Sequence, residues 1–337
     1  MQEKLGFVIL RAQPLHHGHK HLILEAKSKC DVLLIILGSA NRPRSIKNPF
    51  TYKEREASVI GFLNSRDTRD TYVFPLNDYK YSNSQWLSDI SSIIDENNKT
   101  QKRRVIMFGH AKYGNDYLDW FPQYEYSNIS QKYEVNATQI REEWFESSEL
   151  KNNFDISVQE DYEYFKKEKI TFSNYPYPET LNFNCADAVV ECSGHILLIK
   201  RGNTPGKGTW ALPGGFKNAT ETFVDCAVRE LIEETNLRVP KKVILGSIVN
   251  KRLFDSPTRG CGLPRVTMAV HIQIALNDNG CLPKANGSDD AAKATWFPIQ
   301  SIMNDMQLYD DHLDIISTMC GVLPVPAHKN PKYRFQA

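Results

Sequence analysis

The chain lacks an excess of charge of either sign, paired cysteines and any long apolar segment. Its 41 lysines and arginines balance 40 aspartates and glutamates, for a formal net charge of +1. A chain this close to neutral has no general electrostatic attraction to nucleic acid or to an anionic membrane. The seven cysteines occur singly, without a CxxC pair, which indicates neither a disulfide framework nor a zinc site.

A signal peptide and a membrane-spanning segment are also missing from the sequence pattern. The N-terminus runs directly into an alternating apolar stretch at 6–10, without a basic region followed by a long apolar core. We therefore expect no membrane span and a cytoplasmic location.

The length and composition indicate a folded protein with two domains. At 337 residues, with 41% hydrophobic and 11% aromatic residues, the chain is long for one domain and natural for two. In the first half, apolar runs alternate with helical patterns, which predicts an α/β domain with a doubly wound parallel sheet. The predicted strands cover 6–10, 32–37, 72–76 and 105–108, and the predicted helices cover 20–29, 52–64, 85–97 and 158–169.

The second half has a different pattern, typical of a mixed sheet in an α+β domain. A segment rich in proline and tyrosine, SNYPYPET, precedes it and predicts a linker. Its predicted strands cover 186–192 and 195–201, joined by a Ser-Gly turn, and then lie near 243–250 and 266–274. The predicted boundaries are 1–172 for the first domain, 173–182 for the linker and 183–337 for the second domain.

Residues 215–237, GFKNATETFVDCAVRELIEETNL, contain the strongest helical signal of the second half. Thr222 and Asp225 form a capping box, and the run from 223 to 235 has neither proline nor glycine. This pattern predicts a helix over that run. The preceding pair of glycines permits a tight loop whose backbone can approach a metal or a phosphate.

Three glutamates share one face of this predicted helix. Glu230, Glu233 and Glu234 stand three and four residues apart, and their hard oxygen ligands suit Mg²⁺ or Mn²⁺. Such a metal polarises a pyrophosphate and activates water. Arg229 lies beside them and can orient a glutamate, with Glu221 as the expected partner. The simpler alternative is a solvated acidic face.

The spacing of these residues resembles the Nudix box, and only its final glycine is replaced, by Asn236. Asparagine is the residue after glycine best able to adopt the left-handed conformation that ends a helix. The resemblance implies an α+β Nudix domain, an α/β/α sandwich that hydrolyses a nucleoside diphosphate linked to another group. The residues that it implicates in catalysis or metal binding are Gly215, Arg229, Glu230, Glu233 and Glu234.

A second phosphate-binding pattern follows the first predicted strand. His16, Gly18 and His19 stand where the carboxyl end of a parallel strand meets a helix N-terminus, which favours anions. This HxGH pattern resembles the nucleotidyltransferase superfamily and implies a Rossmann-like domain that binds ATP. Gly18 would let the backbone approach the phosphates, the histidines would stabilise the transferred phosphate, and Gln13 would also bind ATP. A metal site or an ordinary polar surface is the alternative.

Two further segments resemble nucleotidyltransferases. NATQIR resembles the later Ser-x-Thr-x-x-Arg signature; Thr138 and Arg141 match it, while Asn136 replaces the serine. Arg44, followed by NPFT at 48–51, resembles archaeal-type nicotinamide mononucleotide (NMN) adenylyltransferases. The resemblance implies that Arg44, Thr138 and Arg141 bind the ATP phosphates.

The same family builds its nicotinamide and ribose pocket from residues that have counterparts here. An aromatic face suits a cationic nicotinamide ring, although packing in the core is an equal alternative for each aromatic residue. The NMN-binding residues implied by the resemblance are Asp78, Asn83, Trp86 and Phe121.

The segment beyond the Nudix box resembles ADP-ribose pyrophosphatases. FDSPTR at 254–259 and the later Arg265 resemble the FxxPxR region of that subgroup, which implies that Arg259 and Arg265 hold ADP-ribose. An acidic loop with Asp289 follows, and an acid there can help to activate water. The alternative is that the two arginines are ordinary surface residues and that Asp289 is an exposed loop residue. Because this alternative stays open, the sequence does not identify the general base.

Together, these features resemble the bifunctional NMN adenylyltransferase and Nudix ADP-ribose pyrophosphatase family. The resemblance implies synthesis of NAD⁺ from ATP and NMN, and hydrolysis of ADP-ribose to AMP and ribose 5-phosphate, with Mg²⁺ or Mn²⁺ as cofactor. We expect these small molecules as partners, with no nucleic acid and no membrane; homo-oligomerisation stays open.

Two alternatives also stay open. One is a different adenylyltransferase fused to a Nudix hydrolase of other nucleoside diphosphate compounds. The other is a nucleotide-sensing regulator whose Nudix domain binds ADP-ribose without cleaving it.

Overall fold

The computed structural model describes residues 2–66, 68–100, 102–110, 120–177, 181–288 and 290–333. The chain forms two compact units, Met1–Phe154 with Pro326–Ala337, and Asp155–Val325. Across the described residues, no helix combines the length and the apolar character that crossing a bilayer requires.

The first unit is built on a parallel sheet. Its described strands are β1 (Lys4–Leu10), β2 (Val32–Leu37), β3 (Thr71–Pro75), β4 (Arg104–Gly109) and β5 (Glu125–Asn128). They lie in the order β3-β2-β1-β4-β5, and every neighbouring pair is parallel. The described helices are α1 (His17–Lys27), α2 (Tyr52–Asn64), α3 (Asn83–Asn98) and α4 (Ala137–Glu146).

Both faces of this sheet are buried, as expected for a doubly wound α/β domain. Leu5 and Phe7 of β1 enter one core, and Val8 and Leu10 enter the other, because successive strand residues point to opposite faces. The strand order reverses between β1 and β4, so the ligand crevice of such a sheet is expected at the carboxyl end of β1.

The second unit contains a mixed sheet, as predicted. Its described strands are β6 (Phe183–Cys192), β7 (His195–Arg201), β8 (Trp210–Ala211), β9 (Gly214–Phe216), β10 (Ile248–Phe254), β11 (Arg265–Gln273) and β12 (Ala291–Pro298). The main path is β10-β11-β6-β7-β12, with β8 beside β7 and β9 beside β6. Strands β6 and β11 are parallel, and the other pairs are antiparallel.

The described helices of the second unit are α5 (Ile156–Thr171), α6 (Phe223–Thr235), α7 (Lys241–Gly246), α8 (Ile299–Asp305) and α9 (His312–Cys320). Helix α6 buries Ala227, Val228 and Leu231 against Ala188 and Val190 of β6 in the core of the unit. Packing of this apolar face therefore fixes the position of α6 on the sheet. The face that carries Glu230, Glu233 and Glu234 is left for the candidate site described below.

Helix α5 belongs to the second unit, although the sequence assigned it to the first domain. The carboxylate of Asp161 accepts a hydrogen bond from the backbone N–H of Gly206 at 2.8 Å. The carboxylate of Glu168 accepts one from Leu263 N–H at 2.9 Å. The two compact units therefore divide between residues 154 and 155, while the domain boundaries at 172 and 183 stay a prediction. Residues 178–180 of the predicted linker lie outside the described residues.

After forming the second unit, the chain ends in a C-terminal segment that packs in the first unit. The sequence patterns did not predict this packing. The hydroxyl of Tyr333 donates a hydrogen bond to the carbonyl oxygen of Ala40 at 2.8 Å, and its ring contacts that of Tyr52 edge-on at 5.2 Å. Both Tyr333 and Ala327 belong to a core of that unit.

The strand predicted near 243–250 begins later in the structure than expected. The strand expected near 243–250 starts only at Ile248, and the preceding residues form α7, opened by Pro240. Ile244 is buried and Val243 is half exposed, which is the pattern of a short helix against a core. A short apolar run does not distinguish the two structures by itself, so the prediction was wrong over its first half.

Candidate active sites

The first site begins where β1 passes into α1. The backbone N–H of His19 donates to Nδ1 of His16, and that of His16 donates to Nδ1 of His19, each over 3.4 Å. The two rings stack with their centroids 3.7 Å apart. Because each Nδ1 acts as an acceptor, the neutral imidazoles carry their proton on Nε2. Each histidine is therefore set up as a hydrogen-bond donor through Nε2.

A cavity of about 300 Å³ joins this turn to the start of α4. Six of the predicted site residues line it: Gln13, His16, Gly18, His19, Thr138 and Arg141. One Nη of Arg141 donates to the carbonyl oxygen of Gln13 at 2.7 Å, and the other donates to Oγ1 of Thr138 at 3.0 Å. Two predicted phosphate-binding segments, distant in sequence, thus form one site.

The replacement of serine by Asn136 preserves the helix cap. Oδ1 of Asn136 accepts a hydrogen bond from the backbone N–H of Thr138 at 2.8 Å, which starts α4. Asparagine and serine are comparably good N-caps. The departure from the family pattern therefore leaves the position of Thr138 and Arg141 intact.

Gln13 holds the NPFT loop beside the cavity. Its side chain is 2% exposed, and its amide both donates to the carbonyl of Phe50 at 2.9 Å and accepts from the N–H of Phe50 at 3.0 Å. Arg11 donates to Oδ1 of Asn48 at 2.7 Å. These two hydrogen bonds show that the Gln13 side chain holds the NPFT loop in position.

Arg44 also ties this loop to its surroundings. It donates to Glu54 and to the carbonyl of Pro49, both at 2.7 Å. Arg44 is not among the described residues that line the cavity, whereas Lys47 is. Sequence reasoning missed Lys47, for which the available signal was a basic residue between Arg44 and the NPFT segment.

A buried arginine fixes the carboxyl ends of two strands behind the site. Arg55 is 2% exposed and donates to the carbonyl oxygens of Arg11, Gly38 and Ser39 at 2.7, 2.8 and 3.1 Å. Burial lowers the pKa of Arg55 to about 10. Sequence reasoning did not identify this role, because no local pattern marks a helix residue that reaches strand ends.

Among the predicted NMN residues, Phe121 is buried, Asp78 and Trp86 are partly buried, and Asn83 is exposed. Asp78 accepts hydrogen bonds from the N–H and hydroxyl of Ser39 at 3.0 and 2.6 Å. Phe121 is 3% exposed and belongs to a core cluster. Trp86 is half-buried, with its ring centroid 6.1 Å from that of Phe121, and Asn83 is exposed on the first turn of α3.

The second site lies along α6, which has the predicted bounds. Thr222 and Asp225 form the expected capping box, and Asn236 ends the helix with φ 43° and ψ 39°. Asn236 thus adopts the left-handed conformation that the missing glycine would otherwise supply.

Arg229 organises three glutamates of this site. Its Nε and Nη2 donate to both oxygens of Glu221 at 3.0 and 2.7 Å, while Nη1 donates to Glu230 at 2.7 Å and Glu233 at 2.9 Å. The hydrogen bonds from Arg229 lower the pKa of Glu221 to about 2. The guanidinium thereby neutralises part of the repulsion between the neighbouring carboxylates.

The remaining carboxylate is buried beside the glycine pair. Glu234 is 6% exposed and accepts a hydrogen bond from Gly214 N–H at 2.9 Å. Burial raises the pKa of Glu234 to about 8 and also raises that of Glu230. Glu234 and Glu230, which are costly to ionise in this way, would gain from a nearby cation, and with Glu233 and the Gly215 carbonyl they offer the oxygen ligands that suit a divalent metal.

Gly215 lies close to the carboxylate of Glu230, which any Cβ at this position would displace. A Cβ on this residue would lie 2.5 Å from Oε1 of Glu230. Gly215→Ala is expected to displace that carboxylate and to lower phosphohydrolase activity by about 100-fold. The matched control is Gly246→Ala, since its Cβ would meet nothing within 4 Å. Equal activity in both variants, measured by steady-state kinetics, would contradict the close approach.

Of the two arginines predicted to bind ADP-ribose, Arg259 is buried and Arg265 is partly buried, and both are paired with carboxylates. Arg259 is 7% exposed, and its guanidinium lies 3.4 Å from Asp187 and 3.1 Å from Asp311. Asp187 pairs with Gly214 between β6 and β9. Arg265 pairs with Glu168. The predicted water-activating Asp289 lies outside the described residues.

Arg259→Ala is expected to lower the free energy of unfolding of the second unit by about 3–5 kcal/mol, because it removes the cationic partner of two buried carboxylates. Chemical denaturation followed by intrinsic fluorescence measures the loss. The exposed Arg238 supplies the control, since Arg238→Ala should change stability by less than about 0.5 kcal/mol. An unchanged stability together with a raised KM for the hydrolysed substrate would instead identify Arg259 as a substrate ligand.

The folds and sites define a nucleotidyltransferase domain joined to a Nudix hydrolase domain. Residues 11–163 match the family model described as cytidylyltransferase-like, and residues 183–319 match that of the NUDIX domain. These matches confirm the class of each domain.

Named relatives narrow the family. The nicotinamide-nucleotide adenylyltransferase of Halorubrum lacusprofundi is 39% identical over 88 residues, which are 26% of this chain and 49% of that protein. The match thus spans about half the length of that relative. The ADP-ribose pyrophosphatase of Methanocaldococcus jannaschii is 38% identical over 130 residues, which are 39% of this chain and 68% of that protein.

A solved structure matches both domains at once. The bifunctional NMN adenylyltransferase/ADP ribose pyrophosphatase of Francisella tularensis, complexed with AMP and a manganese ion, has a TM-score of 0.85 and 26% identity. The match covers 95% of this chain and 99% of that one. The chain belongs to the family of bifunctional NMN adenylyltransferase/ADP-ribose pyrophosphatases.

Proposed function

We propose that the first unit transfers AMP from ATP to NMN, giving NAD⁺ and pyrophosphate. The convergence of His16, His19, Thr138 and Arg141 on one cavity carries this proposal. A phosphate oxygen of NMN attacks the α-phosphorus of ATP, and the bond from that phosphorus to the bridging oxygen of the β-phosphate breaks. Such transfers need positioning and charge stabilisation more than covalent help.

Each group in the cavity has a definite role in this reaction. The Nε2–H donors of His16 and His19 stabilise the negative charge that develops on the α-phosphate oxygens. Thr138 and Arg141 bind the departing pyrophosphate, with Lys47 as an additional cation and Arg44 contributing from the loop. Gln13 holds that loop in place.

We propose that the surface around Asn83 and Trp86 selects NMN over other adenylyl acceptors. The aromatic ring of Trp86 suits a cationic nicotinamide. Phe121 contacts the Trp86 ring from the core, and Asp78 is a further NMN-binding residue of this proposal. Competition between NMN, phosphopantetheine and flavin mononucleotide as adenylyl acceptors, with products separated by chromatography, tests this assignment. Preferential adenylylation of either competitor would overturn it.

For the second unit, we propose hydrolysis of ADP-ribose to AMP and ribose 5-phosphate. Glu230, Glu233, Glu234 and the Gly215 carbonyl would hold Mg²⁺ or Mn²⁺, which supplies charge stabilisation to the pyrophosphate and activates water. Arg229 keeps the carboxylates in position. Arg259 holds Asp187 of β6 beside the site, Arg265 ties β11 to Glu168 of α5, and Asp289 is the proposed acid that assists the attacking water.

The substrate class of the second unit is tested with ADP-ribose, NADH and diadenosine polyphosphates in parallel, with Mg²⁺ and with Mn²⁺. ADP-ribose should give the highest kcat/KM. Tight binding of ADP-ribose without turnover in either metal would favour a sensing role and contradict hydrolysis. All seven cysteines lie within the described residues and none forms a disulfide, which fits the cytoplasmic location that we propose.

A further inference from the structure

Three potential metal ligands of different chemistry converge in the second unit, away from α6. They are Glu191 on β6, His271 on β11 and Cys320 at the end of α9. The ligand atoms of all three lie within 4.8 Å of one another. Among the described residues, no other group of three or more histidine, cysteine and acidic side chains meets this criterion.

Rigid elements hold two of these ligands in place. Nε2 of His271 lies 2.9 Å from a carboxylate oxygen of Glu191, and the imidazole side chain is 6% exposed. Gln273, two residues further along β11, pairs in register with Glu191 and donates to its carboxylate at 3.1 Å. A hydrogen bond of this kind from outside a metal site orients the ligand that accepts it.

We propose that Glu191, His271 and Cys320 bind Zn²⁺, with water as the fourth ligand. Thiolate and imidazole together select a borderline-soft metal such as zinc over Mg²⁺ or Mn²⁺, which prefer oxygen. With zinc bonds of about 2.0–2.3 Å, ligand atoms in a tetrahedral site lie about 3.3–3.8 Å apart. Because no pair of ligand atoms is more than 4.8 Å apart, binding requires no pair to close by more than about 1.5 Å, while the 2.9 Å contact between His271 and Glu191 opens slightly.

When zinc binds, each of the three side chains exchanges a proton or a hydrogen bond for a bond to the metal. The thiol of Cys320 loses its proton to solvent, and sulfur binds the metal as thiolate. His271 binds through the lone pair of Nε2 with its proton on Nδ1, and the carboxylate of Glu191 binds as an anion. The contact between His271 and Glu191 is replaced by a bond from each residue to the metal.

The site would fix one end of α9, whose other end supports the Nudix site. Nδ1 of His312, the first residue of α9, accepts a hydrogen bond from Leu212 N–H at 2.8 Å. Leu212 lies two residues before Gly214, which donates to Glu234. Zinc at Cys320 therefore has a structural role, because it holds the helix that positions this loop.

The test uses the full chain, stripped with a chelator and then titrated with Co²⁺ or Zn²⁺. Co²⁺ should produce a thiolate charge-transfer absorption, which the oxygen ligands of the Nudix site do not give. Zn²⁺ should be retained at one ion per chain after desalting and should raise the thermal unfolding temperature. Retention is measured in excess Mg²⁺, so that the Nudix site does not contribute.

Matched variants assign the ligands. Cys320→Ser should abolish the thiolate band, while Cys281→Ser, which alters an exposed cysteine, should keep it. Gln273→Ala should weaken zinc binding by about 10- to 100-fold. If Cys320→Ser fails to fold, His271→Asn provides the second test through loss of zinc retention. Absence of the band in the unaltered protein, or its persistence in Cys320→Ser, would overturn the proposal.

Discussion

Replacing His19 with asparagine is expected to lower the rate of NAD⁺ synthesis by about 100- to 1000-fold, the usual effect of removing one donor to a developing anion. Asparagine carries an acceptor at the δ position, so it can retain the hydrogen bond from the backbone N–H of His16. It lacks the donor at the position of Nε2. The loss should therefore appear in kcat while the fold is preserved.

Three comparisons make this result specific to chemistry at the first site. His19→Asn should hydrolyse ADP-ribose at the rate of the unaltered protein, because His19 belongs to the other unit. His19→Ala should be equally inactive in synthesis and also less stable by about 1 kcal/mol, because it loses the cap contact. His21→Asn changes another histidine of α1 that does not line the cavity among its described residues, and it should remain active. Wild-type NAD⁺ synthesis in His19→Asn would remove this residue from the mechanism.

Replacing Glu234 with glutamine is expected to lower ADP-ribose hydrolysis by on the order of 1000-fold, since a lost metal ligand removes several kcal/mol of transition-state stabilisation. Glutamine keeps a side-chain oxygen that can accept the hydrogen bond from Gly214 N–H. The change therefore removes the negative charge that this carboxylate would carry as a metal ligand, with little change in shape. Steady-state rates across a titration with Mg²⁺ measure the effect.

The control is Glu163→Gln, at an exposed position on α5 of the same unit. It should retain full hydrolysis, and both variants should retain NAD⁺ synthesis. Hydrolysis by Glu234→Gln at the rate of the unaltered protein would exclude Glu234 as an essential metal ligand. A parallel loss of both activities would indicate unfolding, which circular dichroism would detect.

Local signals predicted the residues of α6 well. The capping box at Thr222 and the left-handed residue at Asn236 act within one turn of each helix end, so their effect can be read from neighbouring residues. The pairing of Arg229 with Glu221 was also predictable, because both belong to the spacing of one motif.

Other parts of the sites depend on contacts that no local pattern encodes. Lys47 lines the phosphate cavity through the path of a loop, and Arg55 reaches strand ends from a helix. The sequence allows an arginine to be either a surface ligand or a buried partner, and only the fold buries Arg259 between two aspartates. The packing of α5 and of the C-terminal segment likewise depends on partners distant in sequence.

The proposed zinc site also depends on residues that are distant in sequence, and the chain has no CxxC pair that would mark it. Ligand spacing in sequence predicts a zinc site only when the ligands lie close together along the chain. Glu191, His271 and Cys320 come from three separate elements. Their convergence is therefore visible only in the folded chain.

We propose that one chain forms a pyrophosphate bond at one site and cleaves one at the other. Quantitative chromatography of the purified full chain, incubated with ATP, NMN and a divalent ion or with ADP-ribose and the same ion, tests it most directly. We expect NAD⁺ and pyrophosphate in equal amounts from the first mixture, and AMP with ribose 5-phosphate in equal amounts from the second. Recovery of unchanged NMN or of intact ADP-ribose would contradict it.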